Sequence, residues 1–224
     1  MKRALLAVCV VLACAGPVVA DDFAPPPWRG GPLSSMAQWD FTTPPPQDGW
    51  HYIMPENEQA VGDGIHEMYP SYWFTNHADC SYAEDWFWRP GDGDGELFNV
   101  NPLGRDVSFE IPNWMDNEPN KLIRVQITWT GQFSPTVVDV RGYIGYLPDR
   151  VEYIGSPLGT GSPALGHIVS DWQIVPNPWW EYVAIHVPAG TGLDQVVIDT
   201  ISPEPATLSL LVLGGLVMLR RRHR

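Results

Sequence analysis

The sequence predicts an all-β chain. Its centre reads as a single antiparallel β-sandwich, jelly-roll or Greek-key like, flanked by an N-terminal signal helix and a C-terminal transmembrane helix. Three observations predict this. Several short runs after residue 106 alternate apolar with polar residues, which marks strands with one dry and one wet face. The chain carries 21 Gly and 23 Pro, spread along its length, a composition that breaks helices and suits short strands joined by turns. Long apolar runs flanked by basic residues occur only at the two ends.

Residues 1–20 read as a secretory signal. Lys2 and Arg3 form the basic region, Ala4 to Ala15 the apolar region, and Val18-Val19-Ala20 a cleavage site before Asp21. Beyond it, residues 21–49 read as an extended leader, because Pro25-Pro26-Pro27 and Pro44-Pro45-Pro46 favour polyproline II geometry. Within the leader, Trp39 and Phe41 alternate with polar neighbours, as an edge or first strand would.

The domain is expected over residues 50–201. Its first part, Trp50 to Trp88, is dense in aromatics and acids. Rings flanked by carboxylates build a core, and they also suit a carbohydrate platform on which a ring stacks against a sugar face. Trp179-Trp180 is a second candidate platform. His51, His66 and His77 lack the spacing of zinc ligands. Next comes Arg89-Pro90-Gly91-Asp92-Gly93-Asp94-Gly95-Glu96. Alternating glycines let Asp92, Asp94 and Glu96 aim oxygens at one centre, the chemistry of a hard cation such as calcium. The spacing matches only the opening of a calcium loop, and the competing reading is a solvated acidic hairpin turn. No other cofactor is implied.

From residue 107 the alternation is regular. Val107, Phe109 and Ile111 form one dry face, followed by Ile123, Val125, Ile127 and Trp129, then Val138 and Val140 before a bulge expected at Gly142. Val183, Ile185 and Val187 form another, and Val196 with Ile198 a last one. Turns are expected at Asn117-Glu118-Pro119-Asn120, Leu147-Pro148-Asp149, the Gly155–Gly166 loop, Asn177-Pro178 and Pro188-Ala189-Gly190.

Residues 202–224 close the chain with Ser202-Pro203-Glu204-Pro205, an apolar run ending at Leu219, and Arg220-Arg221-Arg222-His223-Arg224. Pro203 and Pro205 hold the segment extended, and the arginines stay on the cytoplasmic side of a membrane. At about 1.5 Å per residue the run from Ala206 spans roughly 21 Å, short of the ~30 Å hydrocarbon core. Arginine snorkelling and bilayer thinning accommodate the difference. This tail resembles the PEP-CTERM sorting signal of exported bacterial proteins. The resemblance covers about a tenth of the chain and rests on Pro203, Glu204, Pro205, Arg220, Arg221 and Arg222. It implies recognition by a membrane protease of the exosortase type and transient anchoring in the membrane. It also implies a destination at the cell surface or in the extracellular matrix, in association with extracellular polysaccharide.

Charge and cysteine content bound the partners. All 26 acidic residues lie between Asp21 and Glu204 against seven basic ones, a net charge of −19 for that stretch. Such a surface repels nucleic acid. Only Cys80 remains beyond the signal segment, so no disulfide can form within the exported part. Catalysis is not expected: no nucleophile elbow or phosphate-cradling loop occurs. Glycoside hydrolysis, the enzymatic alternative, needs two carboxylates held about 5–9.5 Å apart, a condition that many acids meet by chance. The expected function is therefore a non-catalytic exported protein, with a carbohydrate-binding module as the alternative.

Overall fold

The computed structural model describes residues 24–44, 52–53, 55, 57–61, 79–81, 86–90, 95–112, 118–145, 150–161 and 166–203. These residues are all-β and contain no helix. Fourteen strands follow in order: β1 (Ser34–Trp39), β2 (Tyr52–Ile53), β3 (Asn57–Val61), β4 (Asp79–Ser81), β5 (Trp86–Arg89), β6 (Glu96–Asn99), β7 (Arg105–Pro112), β8 (Lys121–Thr130), β9 (Thr136–Ile144), β10 (Val151–Ile154), β11 (Ser156–Thr160), β12 (His167–Ile174), β13 (Trp180–Val187) and β14 (Gly192–Ile201).

They form two antiparallel sheets. The larger has the order β11-β12-β8-β14-β1-β3, with the β5–β6 hairpin joined to it through β6 and β14. The smaller has the order β10-β9-β13-β7-β4-β2. Their inner faces meet in one core, as in a β-sandwich. Trp39 from the larger sheet meets Phe109 from the smaller edge-on, with ring centroids 4.8 Å apart. Val107, Phe109, Ile111, Ile123, Val125, Ile127, Val183, Ile185, Val187, Val196 and Ile198 all lie in that core, on the dry faces that their alternation predicts.

Several expectations need correction. The bulge expected at Gly142 lies at Val138: Ala184 faces Asp139, the next residue, Ile185, faces Val137, and Val138 is left over. An extra residue reverses the phase of a strand. Val138 is therefore exposed while Val137 packs against the core. Gly142 itself is regularly paired with Glu181 and Tyr153. A Cβ there would lie 2.5 Å from Cβ of Pro178, so the glycine serves close packing.

The stretch read as the Gly155–Gly166 loop contains β11, the edge strand beside β12. All five of its residues are exposed, so no alternation marks it, and Pro157 is tolerated because edge positions leave ladder groups unpaired. β12 had no predicted counterpart. β1 is the first strand, one of the two readings expected, but not an edge, since it pairs with β14 on one side and β3 on the other. The residues before β1, read as a leader, lie on the outer face of the larger sheet. Arg29 grips Asp199 of β14 with two hydrogen bonds of 2.5 and 2.6 Å, and the Ala24 amide donates to Gln126 of β8 at 2.9 Å. β14 is consequently covered on both faces, and every residue but the last is buried.

Candidate functional site

The covering leader and the outer face of the larger sheet enclose a groove. Its walls are Trp28, Leu122, Arg124, Leu158, Asp171 and Trp172, and its volume is about 190 Å³. Arg124 and Asp171 are outward residues, whereas Trp172 lies opposite the core residue Ile123 and packs its ring against the core, bordering the groove only from its inner side. Arg124 on β8 and Asp171 on β12 are directly opposed, so period-2 alternation brings both side chains to the same face. Arg124 donates from Nε and Nη2 to the two carboxylate oxygens of Asp171 at 2.7 and 2.8 Å, a bidentate pair. Its Nη1 also donates to the Ala24 carbonyl at 3.2 Å, and its guanidinium lies 5.5 Å from the Trp28 ring centre. The hydrogen bond it donates to Asp171 holds the Arg124 guanidinium above its already high range, against the opposing effect of burial. Arg124 is thus a permanent, oriented cation. Trp172 is partly exposed, and its indole Nε1 donates to the Ser170 hydroxyl at 2.8 Å. The groove therefore offers one aromatic wall, Trp28, and a fixed charge pair, features that suit a small polar ligand with an apolar face.

The neighbouring Asp199 carboxyl is buried, and that burial pushes it above its usual range. Hydrogen bonding and charge from Arg29, then Gln126 and Arg124, oppose the shift. This carboxylate, beside Arg124 on the same sheet face, fastens the leader to the sheet.

The predicted aromatic platforms fare differently. Trp86 is in the core, and Trp88 packs against it with its Nε1 donating to the Phe41 carbonyl at 2.6 Å. Phe87 is exposed but leans on Phe98 at 5.4 Å. The aromatic side chains between residues 50 and 85 lie outside the described residues. Trp180 is stacked on Tyr143 with centroids 4.1 Å apart, so one of its faces is covered. Sequence reading missed Trp28 and Arg124 as neighbours, because they are far apart in sequence and meet only through the docked leader.

Of the acids assigned to calcium, Glu96 is described. It is buried, pairs with Arg89 across the β5–β6 hairpin and accepts a hydrogen bond from Thr130. Asp92 and Asp94 lie outside the described residues. Among the described residues, no three His, Cys, Asp or Glu side chains gather as a metal site. Of the sorting segment, Pro203 is described and follows β14 directly after Ser202. Glu204, Pro205, Arg220, Arg221 and Arg222 lie outside the described residues.

A second cluster is buried between the sheets. Lys121 of β8 and Glu181 of β13 are both fully buried, with Nζ and Oε1 3.9 Å apart. Lys121 Nζ and Asn177 Nδ2 both donate to the Ser202 hydroxyl, at 3.3 and 3.2 Å. No protein-family model matches the chain, and a search of curated proteins returns no match.

Proposed function

We propose that this chain is an exported, non-catalytic protein of the cell surface or extracellular matrix. A secretory signal directs it across the inner membrane, and a PEP-CTERM segment anchors it until an exosortase-type protease cuts there. The observation that carries the reading is where the domain stops. β14 is the central strand of the larger sheet and ends at Ile201, so Pro203-Glu204-Pro205 begins two residues later. A cut there removes the tail and leaves every core strand intact. The proposal includes a signal helix at the N-terminus, a transmembrane helix within residues 202–224, and a jelly-roll or Greek-key winding of the sandwich. The winding is supported by the many sheet neighbours that are distant in sequence, such as β8 with β14. Mass spectrometry of the native protein tests the reading. Termini near Asp21 and near Pro203–Ala206 are expected, and a retained Arg224 refutes processing.

A second reading is favoured by the groove: the domain binds carbohydrate, consistent with a destination among extracellular polysaccharides. Trp28 offers a stacking surface, while Arg124 and Asp171 offer donors and acceptors to hydroxyls. The net charge of −19 between residues 21 and 204 favours neutral over anionic glycans. Hydrolysis gains no support here, since the groove walls carry one carboxylate, Asp171, and Arg124 occupies both its oxygens. A calcium ion on Asp92, Asp94 and Glu96 is a subsidiary proposal, supported by the glycine-spaced acids that connect β5 to β6. It fails if millimolar calcium leaves the melting temperature unchanged.

A further inference from the structure

The buried cluster of Lys121, Asn177, Glu181 and Ser202 has a composition that neither export nor sugar binding uses. Alternation places it. Lys121 continues inward the dry face of Ile123, Val125 and Ile127, and Glu181 continues that of Val183 and Ile185. A lysine from one sheet and a glutamate from the other thus meet inside the sandwich, both fully buried. Asn177, on the connection into β13, is also buried, as is Ser202 just beyond β14. Nucleophilic and acyl-bearing side chains are both tethered to the Ser202 hydroxyl, so their nitrogens lie within two hydrogen-bond lengths of each other. Gly142, directly opposite Glu181, adds no side chain to the site.

We propose that Lys121 and Asn177 are joined by an intramolecular isopeptide bond formed by the folded protein itself, with Glu181 as the proton carrier. A dry interior disfavours a separated ammonium and carboxylate, so Glu181 takes a proton from Nζ and leaves a neutral amine. Rotation of the outer lysine torsions swings Nζ from the Ser202 hydroxyl onto Cγ of Asn177. The Nζ–Cγ bond forms and the Cγ–Nδ2 bond breaks. Of the two protons that Nζ gives up, Glu181 delivers one to the departing nitrogen, and the other leaves with it as ammonium. Nothing is oxidised or reduced. Holding amine, amide and carboxylate together in a buried site supplies the proximity and the general acid–base partner that amide exchange requires.

The bond would lock the first residue of β8 to the connection entering β13, stapling the two sheets at the end where the chain leaves toward residue 204. A covalent staple suits a chain with one cysteine beyond its signal segment, which cannot form an internal disulfide. The inference does not depend on the export reading or on the groove.

Peptide mapping of the purified full chain, reduced and denatured before trypsin, tests it. Trypsin is expected to spare Lys121, and the peptide spanning residues 106–124 is expected to be joined to the one carrying Asn177, their combined mass short by one ammonia. Asn177→Ala and Glu181→Gln should each restore cleavage after Lys121 and the full mass. Complete cleavage after Lys121 in the unmodified chain, with both peptides at full mass, overturns the proposal whatever the variants do. So does a link short by one water that maps to Glu181, which would make the glutamate the acyl partner.

Discussion

Replacing Phe109 by alanine tests whether the two sheets share one core. The ring is fully buried and meets Trp39 of the opposite sheet at 4.8 Å and 65°. Truncating a buried phenylalanine costs about 3–5 kcal/mol, as transfer energy plus a residual cavity. Against a total stability of about 5–15 kcal/mol, this is a large share. At roughly 2–4 °C per kcal/mol for a domain of this size, the melting temperature falls by about 6–20 °C. Trp39→Ala should cost a similar amount, since that ring is also fully buried. The informative quantity is their coupling, because an edge-to-face aromatic pair adds about 0.5–1.5 kcal/mol beyond burial. Urea unfolding of the wild type, both single variants and the double variant closes the cycle. Additivity within about 0.3 kcal/mol would mean that the rings do not touch, and the face-to-face packing deduced here would be wrong.

Three further outcomes are expected. Val138→Asp, at the bulge, should change stability by less than about 0.5 kcal/mol, whereas Val137→Asp, packed against the core, should cost about 2 kcal/mol or more; equal effects in urea unfolding would move the bulge. Because the folded Asp199 carboxyl is raised above its usual 3.8, its contribution to stability is fully present below that value and is lost as pH rises through the folded one. The stability of Asp199→Asn relative to wild type should therefore improve as pH rises through the acid range, and a carboxyl seen by NMR to titrate below 3.8 contradicts this. In a calorimetric screen of neutral soluble glycans, Trp28→Ala should weaken binding at least tenfold, about 1.4 kcal/mol, with the fold unchanged by circular dichroism; unaltered affinity removes the groove from the sugar-binding reading.

Legibility tracked how a strand is buried. β7, β8, β13 and β14 each press one face into the core, so their alternation stands out at 107–111, 123–129, 183–187 and 196–198. β11 buries no side chain and β12 is a mixture of buried and half-buried positions, so neither shows a clear phase. The inward places of Lys121 and Glu181 could have been found by extending two clean alternations by two residues each, but charged residues read as the end of a dry face. The phase of β9 was hidden because its bulge sits between Val137 and Asp139, where two adjacent valines allow either register. Trp28 and Arg124 became neighbours only through docking of the leader, and no local pattern encodes that.

What the sequence alone determined is the strand-rich class, the dry faces of four major strands, and an acidic middle between two apolar, basic-flanked ends. These follow from period-2 alternation, turn residues and charge, all of which act over a few positions along the chain. Tertiary structure decided which strands became neighbours, that residues 24–33 lie across the outer face of a sheet, and that a lysine, a glutamate and an asparagine share one dry site. The physical reason is that sheet pairing and burial join residues far apart in sequence. Arg29 meets Asp199 across 170 positions, and Lys121 meets Ser202 across 81.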